Sequence, residues 1–155
     1  MHIIKLIATD STNSFLRKLS AEEIIEDYTV VRADSQTEGR GQMGTIWDSQ
    51  ASKNLTFSVY RDLTKMQLES PFLISIVTSL AMVKALKQFS VPKLYVKWPN
   101  DILSEGKKIC GVLIENVIKQ NEIKASIIGI GLNVNQAQFD NLPQASSLRL
   151  ISGNV

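Results

Sequence analysis

The sequence has very few of the side chains that disulfides and metal sites require. Among 155 residues there is one cysteine, Cys110, and one histidine, His2. A single cysteine excludes a disulfide within the chain, and one terminal histidine leaves little for a metal site. We therefore expect no metal held by the protein itself and a reducing, cytoplasmic setting.

An excess of one charge and long apolar runs are also missing. Seventeen basic and fifteen acidic side chains give a net charge of +2, and no block of lysine and arginine stands out. This balance argues against a nucleic-acid partner. No apolar run reaches the roughly 18 residues of a membrane span, and no signal peptide opens the chain, so we expect no membrane partner.

The length and composition of the chain are typical of one globular domain with a sizeable core. Apolar residues make up 44% of the chain and charged residues 21%. Segments rich in β-branched residues predict strands at 2–9, 28–33, 55–60 and 94–98. A long antiparallel hairpin is predicted at 108–118 and 122–134, apolar enough to lie at the centre of a sheet.

Helices are predicted between these strands. Residues 10–13 supply N-cap types for a short helix, and Ser20 with Glu23 forms a capping box for a further turn. Ser70-Pro71 starts a helix at 71–89 that is apolar nearly all round, so we expect it to be buried. The order of elements predicts an α+β fold: a mixed, largely antiparallel central sheet with helices packed on it.

A glycine-rich loop, QTEGRGQMGTIW, lies at 36–47 between two predicted strands. Its glycines allow close approach of the backbone to a ligand, and its N–H groups can bind an anion. Arg40 adds a planar fork of donors suited to phosphate or carboxylate. A dinucleotide-binding turn would open a helix, and a protein kinase would carry HRD and DFG, so neither fits. A phosphate-covering loop and a plain hairpin turn both remain open.

A second motif, KWPND, follows at 97–101. Pro99 keeps Trp98 extended, so Lys97 ends a strand and the next two residues begin a turn. A lysine at a strand end near a glycine loop can neutralise phosphoryl or acyl-phosphate charge. A solvated lysine is the simpler alternative. Together the two motifs predict that Lys97 and Arg40 converge on one anionic pocket.

Five segments together resemble the catalytic domain of biotin protein ligases: DSTNSFL, QTEGRGQMGTIW, KWPNDIL, KKICGVLIEN and IGIGLNVN. Their order and approximate spacing match over residues 9–148, with lipoate ligases a distant second. The resemblance implies a biotin/lipoate protein ligase-like catalytic domain over 1–155. It also implies that the family's C-terminal SH3-like barrel and an N-terminal DNA-binding domain are lacking here.

The resemblance implies an enzyme, biotin–acetyl-CoA-carboxylase ligase. Such an enzyme makes biotinyl-5′-AMP from biotin and ATP, with Mg²⁺ arriving on the nucleotide. It then transfers biotin to a lysine of a biotin carboxyl-carrier protein. A lipoate–protein ligase and a truncated, non-catalytic biotin-binding module are the alternatives. An exposed sheet edge would permit a homodimer.

The resemblance also implies the roles of individual residues. The catalytic residues are expected to be Lys97 and Arg40. Biotin is expected to contact Ser11, Thr12, Asn13, Gln36, Gly39, Arg40, Trp47, Lys97 and Gly111. The nucleotide is expected to contact Arg40, Gly41, Gln42, Gly44 and Asn133, whose amide suits the adenine edge. Gly129 and Gly131 are expected to keep their strand thin enough for the base to lie against it.

Overall fold

The structure is a computed structural model that describes residues 2–66, 68 and 70–153. Its strands are β1 (Ile3–Thr9), β2 (Val30–Gln36), β3 (Leu55–Asp62), β4 (Tyr95–Lys97), β5 (Asp101–Ser104), β6 (Lys107–Lys119) and β7 (Glu122–Leu132). Its helices are α1 (Thr12–Glu22), α2 (Phe72–Lys87) and α3 (Leu148–Ser152), with a short 3-10 turn at Gln42–Gly44.

The strands form one mixed sheet in the order β1-β2-β3-β7-β6-β5-β4. The first two strands are parallel, and each later pair of neighbours is antiparallel. The predicted α+β class, with a mixed and largely antiparallel sheet, is confirmed. The predicted central hairpin is also confirmed, because β6 and β7 occupy the middle of the sheet. Its turn places Gln120 and Asn121 at φ 52° and 64°, which matches the twist of a tight hairpin.

Helices cover parts of both faces of the sheet. Successive side chains of β7 point to opposite faces, so the central strand is apolar on both sides. On one face Ile127 packs with Leu16 of α1 and Val31 of β2, all three fully buried. On the other face Ile128 belongs to a larger core beneath α2. The sheet thereby fixes the start of α1 above the central strands.

Most element bounds lie within two residues of the prediction, but the capping box predicted at Ser20 is wrong. Residues 12–22 form one continuous helix, and the hydroxyl of Ser20 donates to the carbonyl of Arg17 instead of opening a new turn. The turn predicted around Pro99 is present at residues 98–100, and the strand β5, which was not predicted, follows it and pairs with both β4 and β6. The segment after β7 contains α3, where the hydroxyl of Ser147 accepts from the N–H of Leu150 at 3.3 Å.

The prediction that α2 is buried is also wrong. Val77 is 66% exposed and Leu80 is 59% exposed, while Ile74 and Leu86 face the core. The helix packs on the sheet through one side, and no other described element covers its far side. Within the described ranges, none of the helices combines the length and apolarity needed to cross a membrane.

Candidate active site

A cavity of about 250 Å³ opens over the central strands, between the start of α1 and the glycine loop. The sheet supplies its floor from β6 and β7, and the beginning of β5 closes one side. A concave site where several elements converge is the usual place for a small ligand. Its lining includes Ser11, Thr12, Asn13, Gln36, Arg40, Gly41, Gln42, Trp47, Asn100, Asp101, Lys108, Gly111, Gly129 and Gly131.

One side of the cavity is a hydrogen-bonded polar wall in which Thr12, Asn13 and Gln36 line the cavity and the buried Ser58 lies behind them. Gln36 Oε1 accepts from the N–H of Thr12 at 2.7 Å and from its hydroxyl at 3.0 Å. Ser58 Oγ lies 2.7 Å from Thr12 Oγ1 and 2.6 Å from Asn13 Oδ1, and it is fully buried. Because each side chain is fixed by the next, the wall presents a rigid set of donors and acceptors.

Asp10 lies directly before the residues of this wall that begin α1. The N–H of Ser11 donates to the Asp10 carboxylate at 2.5 Å. This hydrogen bond to the charged form holds the pKa of Asp10 below its ordinary value. Asp10 therefore stays ionised at neutral pH and anchors the turn that begins α1.

Glycines on the two central strands form the cavity floor. Gly111 and Gly131 face each other in register, and a methyl group on Gly131 would lie 2.3 Å from Cε2 of Trp47. A methyl group on Gly129 would lie 2.4 Å from Asn13 Oδ1. In this structure the space expected for an adenine base is therefore filled by Trp47 and Asn13. Only glycine at these positions lets both side chains approach the sheet so closely.

The glycine loop folds back on itself as a small hairpin. The N–H of Gly41 donates to the carbonyl of Thr45 at 2.7 Å, and that of Trp47 donates to Gly39 at 2.9 Å. Met43 has φ 53° and Gly44 has φ 79°, which close the turn. Because the N–H of Gly41 is already bonded within the loop, it can bind a phosphate only after the loop rearranges.

Two basic side chains line the cavity, Arg40 from the loop and Lys108 from β6. Lys108 Nζ lies 2.7 Å from Asp101 Oδ1 and 5.6 Å from the centre of the Trp47 ring. Arg40 Nη2 lies 3.2 Å from Glu115 Oε2 and 3.1 Å from Ser14 Oγ. The cavity therefore offers an anionic ligand two cations, each of which is paired with a carboxylate of the chain.

The structure brings together nine of the predicted site residues and leaves four outside the lining. Inside are Ser11, Thr12, Asn13, Gln36, Arg40, Gly41, Gln42, Trp47 and Gly111. Outside are Gly39, Gly44, Lys97 and Asn133. Gly39 and Gly44 shape the loop rather than the surface of the cavity.

Lys97, which was predicted to share an anionic pocket with Arg40, is not among the residues that line the cavity. It is exposed on β4, the outermost strand at that edge. Lys97 pairs in register with Asp101, which in turn pairs with Gly111, so it lies one strand farther out than the lining. Of the two basic residues, the cavity is lined by Lys108, not by Lys97.

Both the side chain and the backbone of Asn133 form hydrogen bonds within the protein. Its side-chain Nδ2 donates to the carbonyl of Ser146 at 3.0 Å. Its N–H donates to Ile109, and its carbonyl accepts from Leu148 at 3.1 Å. Asn133 is thus buried and ties the segment before α3 to the end of β7.

The sequence motifs missed Lys108 because a β-bulge changes which residues share a face. Counting by twos from Gly111 along β6 leads to Lys107. The pairing with β5 skips Ile109, however, since Ile102 opposes Cys110 and Leu103 opposes Lys108. The extra residue shifts the alternation by one, so that Lys108 reaches the cavity. The sequence does show two adjacent lysines at the start of KKICGVLIEN, and in a strand one of such a pair must point to the cavity face.

Cys110 lies beneath the cavity and is fully buried. Burial raises the pKa of its thiol to about 12, so the thiol is neutral at pH 8. We predict that a disulfide reagent leaves the folded protein unmodified at pH 8 and reacts with one thiol per chain in urea. Thiol titration with and without denaturant measures this, and rapid reaction of the folded protein would contradict the buried placement.

Metal-binding side chains are scattered. Within residues 2–66, 68 and 70–153, no three His, Cys, Asp or Glu side chains form a group that could hold a metal ion.

The fold and site define an α+β domain with a cavity for a small ligand that has both polar and anionic parts. The model of the biotin/lipoate A/B protein ligase family matches residues 6–133. The chain therefore belongs to that family, and the resemblance to biotin protein ligases is confirmed.

Among curated relatives, the bifunctional ligase/repressor BirA of Bacillus spizizenii is 34% identical over 157 residues, covering 98% of this chain and 47% of the relative. The biotin–[acetyl-CoA-carboxylase] ligase of Mycobacterium tuberculosis is 33% identical over 143 residues, covering 90% and 52%. The chain thus spans about half the length of the curated relatives it matches.

Among solved structures, biotin protein ligase from Aquifex aeolicus in complex with biotin and ATP superposes with a TM-score of 0.83 at 32% identity. The alignment covers 99% of this chain and 62% of that one. Lipoate-protein ligase A bound with ATP shares the fold at a TM-score of 0.67 and 12% identity. The predicted biotin/lipoate ligase-like catalytic fold is thereby confirmed.

Proposed function

We propose that this chain is the catalytic part of an ATP-dependent biotin–protein ligase. The observation that carries the proposal is that Arg40 and Lys108 line one cavity with the polar wall. Such a site suits a ligand with an uncharged polar head and an anionic end, as biotin and its adenylate have. The names of the relatives, and the biotin and ATP in the Aquifex aeolicus structure, support this reading.

In the first step, a carboxylate oxygen of biotin attacks the α-phosphorus of ATP. Biotinyl-5′-AMP forms and pyrophosphate leaves. In the second step, the amine of an acceptor lysine attacks the biotinyl carbonyl, forms an amide and releases AMP. Both steps place negative charge on the same phosphate, so Arg40 and Lys108 act by electrostatic stabilisation and positioning. The glycine loop covers the mixed anhydride and excludes water.

We assign the biotin head to the polar wall. A ureido ring needs donors and acceptors together, and hydroxyl and amide side chains supply both. Trp47 and Gly111 supply the apolar wall and floor against which the rest of biotin packs. We assign phosphate binding to Arg40, Gly41 and Gln42, since these residues lie at the loop side of the cavity. The roles of Gly39, Gly44, Lys97 and Asn133 stay predictions from the family resemblance.

The remaining partners follow from the same reaction. We infer that Mg²⁺ arrives with ATP and that a biotin carboxyl-carrier protein is the acceptor. A cytoplasmic setting suits both. A homodimer stays a prediction, for which β1 and β4 leave two unpaired edges in the described sheet. Neither nucleic acid nor a membrane is part of the proposal.

Ligand binding and pyrophosphate exchange test the proposal together. Biotin with MgATP at about one hundred times the dissociation constant should raise the melting temperature by roughly 5–10 °C. Biotin should also stimulate exchange of labelled pyrophosphate into ATP. Biotin binding without exchange would indicate a binding-only module, and preferential stabilisation by lipoate would indicate a lipoate ligase. No response to either acid would overturn the proposed function.

A further inference from the structure

Glu115 on β6 binds three donors from two parts of the site. Its Oε2 accepts from Asn13 Nδ2 at 2.8 Å and lies 3.2 Å from Arg40 Nη2. Its Oε1 lies 3.3 Å from Arg17 Nη2. The carboxylate is only 18% exposed and is not among the groups that line the cavity. Glu115 therefore connects the polar wall to the glycine loop from behind.

The charge of Glu115 fixes the direction of the hydrogen bonds in the wall. A carboxylate only accepts, so Asn13 must turn Nδ2 toward Glu115 and Oδ1 toward Ser58. Ser58 must then donate its single proton to Asn13 Oδ1. Thr12, which meets both Ser58 and Gln36 Oε1, is left as the donor to one of them. Gln36 keeps its own donor end, Nε2, for another partner.

The same carboxylate holds the arginine that is proposed to bind phosphate. Arg40 is 44% exposed and makes its described contacts with Glu115 and Ser14. An anionic ligand must compete with Glu115 for this guanidinium. Glu115 thus holds Arg40 near the cavity and limits the freedom of the loop.

We propose that Glu115 is a positioning residue that orients the biotin-binding wall and restrains the loop through Arg40. This inference rests on the proposed function for its ligand. The contact between Glu115 and Arg40 involves only groups of this chain, so it can be tested without any ligand.

Glu115→Gln keeps the shape of the side chain, removes its charge and allows the amide to donate as well as accept. In the ligand-free protein, tryptic cleavage between Arg40 and Gly41 should become roughly fivefold faster, because a partly exposed ion pair is lost. Cleavage after Lys119, in the hairpin turn, should not change. The dissociation constant for biotin should rise about tenfold, because the donors and acceptors of the wall are no longer held in one orientation. Site-specific mass spectrometry and calorimetry measure the two effects.

Two further variants separate the roles. Ser58→Ala cuts the link between Asn13 and Thr12 but leaves Arg40 on Glu115, so biotin binding should weaken while cleavage at Arg40 stays unchanged. Glu105→Gln breaks an exposed pair with Lys93, and neither measurement should change.

Equally faster cleavage after Arg40 and after Lys119 in Glu115→Gln would overturn the proposal, because it would show general destabilisation. Unchanged cleavage and affinity would also overturn it. A wild-type chain that binds no biotin refutes the proposed function, while the cleavage result still decides the tie to Arg40.

Discussion

Replacing Lys108 by methionine is expected to slow biotin-dependent pyrophosphate exchange by roughly 100- to 1,000-fold. Lys108 supplies an ammonium group to the cavity, and methionine keeps the aliphatic length while removing the charge. The transition state gains negative charge at phosphorus, so the loss falls mainly on the rate rather than on biotin affinity. Steady-state exchange and biotin titration of the same variant distinguish these two effects.

The neighbouring Lys107 serves as a matched control. Lys107 donates to the carbonyl of Pro143 at 2.6 Å, away from the cavity, so Lys107→Met should exchange normally. Lys97→Met tests the catalytic role that the family resemblance predicts for Lys97. A severe loss in Lys97→Met with normal exchange in Lys108→Met would confirm the role predicted for Lys97 and contradict the role proposed for Lys108. Lys108→Met also leaves Asp101 without its counter-ion, so Lys108→Met/Asp101→Asn should recover stability but not exchange.

Gly129→Ala is expected to remove measurable biotin binding and to destabilise the fold by roughly 1–3 kcal/mol. The new methyl group would lie 2.4 Å from Asn13 Oδ1, and Asn13 is only 2% exposed. Since Ser58 and Glu115 both hold the amide, it can move only by breaking the polar wall. Urea denaturation and biotin titration measure the two losses.

A double-mutant cycle gives the control for Gly129→Ala. Asn13→Ala should cost less stability in the Gly129→Ala background than in the wild type, because it removes the clashing atoms. Biotin binding should remain lost in the double variant. Additive losses of stability would show that Asn13 and Gly129 do not meet in solution.

The sequence predicted the fold well where hydrophobic periodicity decides the outcome. The central hairpin and β3 follow from apolar β-branched runs, and tight turn residues fix the register of β6 against β7. The exposure of α2 could not be predicted, because apolarity on every side does not say which neighbours are present. The strand β5 was not predicted because Asp101–Ser104 is short and its extended backbone depends on pairing with β4 and β6.

The site was predicted in part for a similar reason. Residues adjacent in sequence, such as Ser11, Thr12 and Asn13, reach the cavity together because one helix start carries them. Lys108 depends on a one-residue bulge between β5 and β6, which no local motif encodes. Glu115 and Ser58 act through contacts more than forty residues apart in sequence, so their roles emerge only from the folded arrangement.

The glycine floor has an optical consequence. Trp47 lies against the bare backbone of Gly131 inside the cavity, whereas Trp98 is 73% exposed and packs beside Phe72 at 5.9 Å. With Trp98 replaced by phenylalanine, the tryptophan emission of the chain would come from Trp47 in the cavity wall alone. The packing that keeps the indole close to the sheet therefore makes it an intrinsic fluorescent reporter of whatever enters the site.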